Sequence, residues 1–147
     1  MLLTVLAGCG REAHTNAARD PEGCPGIANP DAGKGWDAYR NDDLAAAQQA
    51  FQAARDACPS HLGARAGLGY VALREGELEA ARTLFREVVQ DDPANVDALE
   101  GLALLAWREG DLERAGEGFR KVLELDPEHQ EARSYLERME KPDSAGA

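Results

Sequence analysis

The sequence predicts an all-α fold in which three helix–turn–helix units stack into an α-solenoid and a C-terminal helix caps the last unit. The main observation is an internal repeat: residues 76–93, GELEAARTLFREVVQDDP, recur as GDLERAGEGFRKVLELDP at residues 110–127 and more faintly as DDLAAAQQAFQAARDACP at residues 42–59. A fixed period of 34 residues indicates a stacked array. Within the unit, apolar residues three and four positions apart predict one buried helix face: Leu78, Ala81, Phe85 and Val88.

Capping residues and prolines predict where the units begin and end. Asn29 and Pro30 indicate a helix start, because a capping side chain precedes a proline whose missing amide proton costs nothing in the first turn. Each second helix is expected to end near a proline, which cannot donate to the preceding turn. The units therefore span about residues 29–59, 62–93 and 95–127. A closing helix is expected at about residues 129–140, before a disordered tail at 142–147.

Three kinds of residue recur at the same places in the units. They are Ala47, Ala81 and Ala115, then Phe51, Phe85 and Phe119, then Pro59, Pro93 and Pro127. This combination resembles the tetratricopeptide repeat (TPR) family, whose units are helix pairs of about 34 residues. The resemblance implies a TPR domain over residues 29–141. It also implies that the first helices of the pairs line a concave groove that holds an extended peptide or a helix of a protein partner.

The face that corresponds to this groove is rich in aromatic residues and arginine. It comprises Trp36, Tyr39, Arg40, Tyr70, Leu73, Arg74, Leu104, Trp107 and Arg108. Such residue types anchor protein interfaces, and the arginines would form a ladder able to hold acidic groups of a partner. Two alternatives remain open: the aromatic rings fill the core between units, and each arginine interacts with the negative end of its own helix.

Composition and motifs argue for a non-catalytic adaptor or scaffold with a protein or peptide partner. The formal net charge is -11, which disfavours nucleic acid as a partner because its phosphates would be repelled. The sequence has no histidine pair at i, i+4, no closely spaced cysteine pair and no Gly-rich phosphate loop after a strand. We therefore expect no catalytic residues, metal or cofactor, and the oligomeric state is left open.

The N-terminal residues resemble a bacterial lipoprotein signal. The apolar run 2–7 is far shorter than a membrane-spanning helix, and it leads into Leu6-Ala7-Gly8-Cys9, which resembles a lipobox. The resemblance implies a signal-peptide remnant at 1–8, lipid attachment at Cys9 and a flexible tether through residue 28. The protein would then be a membrane-anchored lipoprotein on the periplasmic or outer face of the bacterial cell envelope.

Two alternatives to a membrane-anchored adaptor remain. No Lys or Arg precedes Arg11, whereas a signal peptide begins with a positive segment. The first alternative is therefore an unanchored TPR interaction module in the cytoplasm. The second is a structural subunit of an envelope assembly.

Cys24 and Cys58 remain once Cys9 is assigned to lipid attachment. In an exported protein an even pair of cysteines usually forms a disulfide. The sequence thus predicts a Cys24–Cys58 bridge, which would join the tether to the end of the first helix pair. Two free thiols are the alternative in a cytosolic chain.

The lipid anchor predicts where the protein is found in fractionated cells. Cys9→Ser should move it from the membrane fraction to the soluble fraction, because two or more acyl chains give stable attachment and the variant carries none. Immunoblotting of the fractions measures this change. Cys24→Ser is the matched control and should stay with the membrane. A wild-type chain recovered in the soluble fraction would contradict the anchor.

Overall fold

The computed structural model describes residues 30–141, and all regular secondary structure in that part is α-helical. The helices are α1 (Pro30–Arg40), α2 (Leu44–Ala57), α3 (Leu62–Glu75), α4 (Leu78–Asp91), α5 (Val96–Glu109), α6 (Leu112–Leu125) and α7 (Gln130–Glu140). Consecutive helices pack against each other, and α1, α3 and α5 are also in contact along one side of the array. Helix α7 packs on α6 and covers the third pair. The prediction of an α-solenoid with a capping helix is confirmed.

The N-terminal ends of α3, α5 and α7 share one capping arrangement. His61, Asn95 and His129 each accept a hydrogen bond from the backbone amide three residues further on, at 3.0, 3.0 and 3.3 Å. These bonds satisfy amides that have no partner inside their own helix. The period of 34 residues therefore places a polar cap at the start of each of these helices, and two of the chain's three histidines are used for it.

The turn inside each repeat needs one residue in the left-handed region. Gly76 and Gly110 adopt it, with φ of 84° and 79°, and they end α3 and α5. Asp42 occupies the same place in the first repeat with φ of 63°. Asp tolerates this conformation better than most residues with a side chain, which lets the first repeat turn without a glycine.

The core between repeats is built from phenylalanine rings that press on bare glycine backbone. The fully buried rings are those of Phe51, Phe85 and Phe119. Phe85 lies between Gly69 of its own repeat and Gly101 of the next, where added Cβ atoms would lie 2.6 and 2.4 Å from its ring. Atoms never approach that closely without displacing one another. The absence of side chains on these glycines therefore lets α3, α4 and α5 meet around one ring.

In the last repeat, the buried phenylalanine packs against an aromatic ring of α7 at the position where the earlier repeats have glycine. Tyr135 on α7 stands one period after Gly101. Its ring stacks on Phe119 with 4.7 Å between centroids and an interplanar angle of 5°. An aromatic ring lies against Phe119 where another first helix would present glycine, so α7 covers the apolar surface of the array.

Several predictions about the termini lie outside the described residues. These are the signal remnant at 1–8, lipid attachment at Cys9, the tether, Cys24 and the tail at 142–147. Cys58 is buried and takes part in a disulfide bond. Pairing with Cys24 stays a prediction. No helix within residues 30–141 is both long enough and apolar enough to cross a membrane.

The glycine contacts predict an unusual response to a single added methyl group. Gly101→Ala should lower the free energy of unfolding by about 1–3 kcal/mol, because the Cβ would overlap the Phe85 ring. Gly33→Ala is the control, since no atom lies within 4 Å of its added Cβ. The control should be neutral or up to about 1 kcal/mol more stable, because alanine favours helix. Urea titrations measure both, and equal changes would contradict the packing role.

Candidate functional site: a concave groove along the first helices

The first helix of each pair and α7 line a groove of about 660 Å³, which we call the concave groove. Its lining includes all nine residues that the sequence assigned to it: Trp36, Tyr39, Arg40, Tyr70, Leu73, Arg74, Leu104, Trp107 and Arg108. Five residues that the sequence analysis missed complete the wall: Asp97, Glu100, His129, Glu131 and Tyr135. The repeat brings these positions together because equivalent residues of successive first helices face the same side.

The aromatic residues of the groove form a connected cluster. The ring of Tyr70 meets those of Trp36 and Tyr39 edge-on, with centroid distances of 5.6 and 6.0 Å. Tyr70 is only 7 % exposed, whereas Trp36 and Tyr39 are half-buried. Tyr70 therefore forms the floor and belongs to the core between repeats. The two half-buried rings also present surface to the groove, so core filling and groove lining both apply to this cluster.

The three groove arginines already have acceptors within the protein. Arg40 pairs with Asp37, and Arg74 pairs with Asp42. Arg108 donates from Nη1 to the carbonyl oxygen of Leu73 at 2.6 Å. All three stand in the last turn of their helices, where a cation also interacts favourably with the helix dipole. A partner's acidic groups would therefore have to compete with these existing contacts.

The opposite end of the groove is acidic. Potential ligand atoms of Glu100, His129 and Glu131 lie within 4.8 Å of one another, and Asp97 lines the same end. The sequence contained one signal for this end: Asp97 and Glu131 are both acidic and stand one period apart. Glu100 has no acidic counterpart in the other repeats, so the repeat pattern did not reveal it.

Glu100 is a buried carboxylate with one oxygen in use. Its side chain is 9 % exposed, and its Oε2 lies 2.6 Å from the Tyr70 hydroxyl and 3.8 Å from Nε2 of His129. The same hydroxyl lies 2.9 Å from the carbonyl oxygen of Asp97. Since it carries one proton, it can donate to only one of these acceptors at a time. Among the described residues, no donor is bonded to Oε1 of Glu100.

Burial shifts the titration of the acidic end. Loss of solvent raises the pKa of Glu100, and the hydrogen bond from Tyr70 and the proximity of His129 only partly oppose this. Burial also raises the pKa of Asp97. The pKa of Tyr70 is raised well above its usual value by burial first and by the nearby Glu100 next. The acidic end therefore holds carboxylates that lack full stabilisation within the protein.

A metal ion is a poor fit to this end despite the close carboxylates. Nδ1 of His129 accepts a hydrogen bond from the backbone amide of Ala132. In the neutral ring the proton is therefore on Nε2, the nitrogen that faces Glu100. Coordination through Nε2 requires the proton on Nδ1, which would break the helix cap. The arrangement instead suits acceptance of hydrogen bonds from a donor that enters the groove.

Comparisons with known proteins agree with this architecture. A sequence profile described as Tetratricopeptide repeat matches residues 33–96 and 79–130. The chain is similar in structure to the Arabidopsis OM64 TPR domain, with a TM-score of 0.67, 19 % identity and coverage of 76 % of this chain and 93 % of that one. No curated protein sequence matches the chain.

Two further similar structures contain bound peptides. One is the first TPR of Spaghetti (RPAP3) bound to the HSP90 peptide SRMEEVD, with a TM-score of 0.65, 19 % identity and coverage of 76 % and 89 % of the two chains. The other is the second TPR domain of human RPAP3 in complex with the HSP70 peptide SGPTIEEVD, with a TM-score of 0.61, 18 % identity and coverage of 76 % and 92 %. At these identities the likeness shows the fold.

The raised pKa of Glu100 predicts how stability depends on pH. A folded state that binds the proton more tightly than the unfolded chain is favoured at low pH and loses that advantage as pH rises through the raised pKa. The unfolding free energy of Glu100→Gln, relative to that of wild type, should therefore increase as pH rises from about 4, the usual pKa of a glutamate, through the raised pKa. Urea titrations across that range measure the difference. Glu113→Gln, exposed on α6, is the control and should show no such trend. A constant difference for Glu100→Gln would contradict the prediction.

Proposed function

This chain belongs to the tetratricopeptide repeat family, and we propose on that basis that it is a non-catalytic adaptor that holds a segment of another protein in its concave groove. The observation that carries the proposal is the groove itself, which has a volume of about 660 Å³ and is lined by residues of the first helices, α7 and its cap. Two similar structures of this fold have peptides bound, which supports a peptide segment as the occupant.

The groove has the surface chemistry that peptide binding needs. Trp36, Tyr39 and Trp107 are half-buried, so their rings are held in place by core contacts while part of each remains open to the groove. Rigid rings of this kind lose little conformational entropy on binding and supply large apolar contact areas. The polar groups around them can then bond to the backbone of the bound segment.

The absence of catalysis is part of the proposal. In the groove, His129 caps α7 and Tyr70 is bonded within the protein floor. Groups engaged in this way are positioned for structure and recognition. Among the described residues of the groove, no nucleophile is hydrogen-bonded to a base that is in turn oriented by a third group, the arrangement typical of an activated nucleophile.

Membrane tethering extends the proposal to the whole chain. Its support is Leu6-Ala7-Gly8-Cys9 together with the polar residues that follow, which would allow lipid on Cys9 and a tether before α1. The disulfide bond at Cys58 favours an oxidising compartment such as the bacterial cell envelope over the cytoplasm. The adaptor would thus hold its partner close to a membrane surface.

A selection experiment tests the groove directly. A phage-displayed library of random linear peptides is panned on the immobilised full chain, and enriched peptides are synthesised for calorimetry. Trp107→Ala should weaken their binding by at least about 1 kcal/mol, as truncation of an interface anchor does. Leu125→Ala truncates an apolar residue that is 40 % exposed outside the groove, and it should leave binding unchanged.

Circular dichroism confirms that both variants keep their helical content. A library from which no peptide is enriched contradicts the proposed function. So does binding that survives Trp107→Ala and is lost with Leu125→Ala, because the peptide would then lie on the outer surface.

A further inference from the structure

We propose that the acidic end of the concave groove, formed by Asp97, Glu100 and Glu131, binds a basic side chain, Arg or Lys, of the partner segment. The inference rests on the proposed function, because it assigns the charge of the segment that the groove would hold. It differs from what the arginines alone suggest, namely an acidic segment.

The two charges of the groove are separated along its helices. The groove arginines stand in the last turns of α1, α3 and α5. Asp97 is in the first turn of α5, and Glu131 is in the first turn of α7. On α5, Asp97 and Arg108 are about 16 Å apart along the axis, at 1.5 Å per residue. One edge of the groove is therefore basic and the other is acidic.

Within the described residues, the arginines of the basic edge have direct acceptors, whereas no Lys or Arg pairs with the carboxylates of the acidic edge. The arginines have Asp37, Asp42 and the Leu73 carbonyl as acceptors. By contrast, no Lys or Arg of residues 30–141 forms an ion pair with Asp97, Glu100 or Glu131. The nearest cationic candidate is His129, at 3.8 Å from Glu100, and it is engaged as a cap. The unmet charge of the groove is thus negative.

Glu100 is the carboxylate that most clearly lacks a hydrogen-bond donor for one of its oxygens. Its side chain is more than nine-tenths buried, it lines the groove, and its Oε1 has no donor among the described residues. Among the described residues no fully buried side-chain oxygen lacks a hydrogen-bond partner, so Oε1 is accessible from the groove. A segment that covers this oxygen must supply a donor, because an ionised carboxylate is costly to bury without one. A guanidinium or ammonium group entering the groove would donate to this oxygen in a charge-assisted bond of the stronger class.

The remaining electrostatics favour the same occupant. An acidic side chain at this end would face three carboxylates, which repel it in a partly desolvated site. The chain as a whole carries a formal charge of -11, which attracts basic segments at longer range. A bound cation would also favour the ionised forms of Asp97 and Glu100, whose pKa values burial raises in the free protein.

The test uses the same random peptide library and compares the charged residues of the peptides that it enriches. Peptides enriched on the wild-type chain should share a position occupied by Arg or Lys. Replacing that residue of a synthesised peptide by glutamine should weaken binding to the wild type about tenfold, the loss expected for a charge-assisted hydrogen bond. Glu100→Gln should weaken the unaltered peptide to a similar degree.

A double-mutant cycle decides whether the two groups meet. On Glu100→Gln the glutamine substitution in the peptide should have little further effect, because the bond is already lost. Asp97→Asn gives an independent second cycle, and Glu113→Gln, exposed on α6, should keep the full tenfold response.

The outcomes separate the inference from the function on which it rests. Two results overturn the inference and leave groove binding intact. In the first, the enriched peptides share no basic residue. In the second, replacing the shared basic residue weakens binding equally for wild type, Glu100→Gln and Asp97→Asn. Failure to enrich any peptide overturns both. Coupling between the peptide's basic residue and Glu100 or Asp97 supports the inference.

Discussion

The contact between a buried phenylalanine ring and bare glycine backbone is the constraint on which the other features of this structure depend. Phe85 fills the space between Gly69 and Gly101, and a methyl group on either glycine would overlap the ring. In the first two repeats the second helix thereby fixes how closely two first helices approach, since close-packed interiors do not tolerate such overlap. The same contact made by Phe51 with Gly35 and Gly67 repeats that spacing along the array.

The spacing of the first helices in turn creates the groove floor. Tyr70 on α3 can touch Trp36 on α1 and Phe85 on α4 while its hydroxyl reaches Glu100 on α5. A single side chain therefore links three successive repeats. Core and groove are two sides of the same layer of rings, so the aromatic residues that pack the array also form the surface of the groove. A change in the packing of this layer would also alter the shape of the groove.

The direction of the helices gives the groove its polarity. First helices run parallel to one another, so their C-terminal arginines collect at one edge and their N-terminal residues at the other. At the arginine edge, nearby acidic residues and a backbone carbonyl already satisfy the charge. At the other edge, Glu100 is buried with one oxygen unused. On the proposed binding mode, the basic residue of the segment would lie towards the N-terminal ends of α5 and α7.

The sequence by itself determined the repeat, the helix faces and the side of the array on which the groove lies. These follow from local spacing, because a period of 34 residues with helical periodicity inside it fixes which positions are equivalent. Only the tertiary structure decided the charge of the groove. Arg74 and Asp42 meet across a repeat, as do Glu100 and Tyr70, and neither pair is marked by the repeat pattern. Which charges are satisfied depends on burial and on contacts between distant residues, and these exist only once the helices have packed.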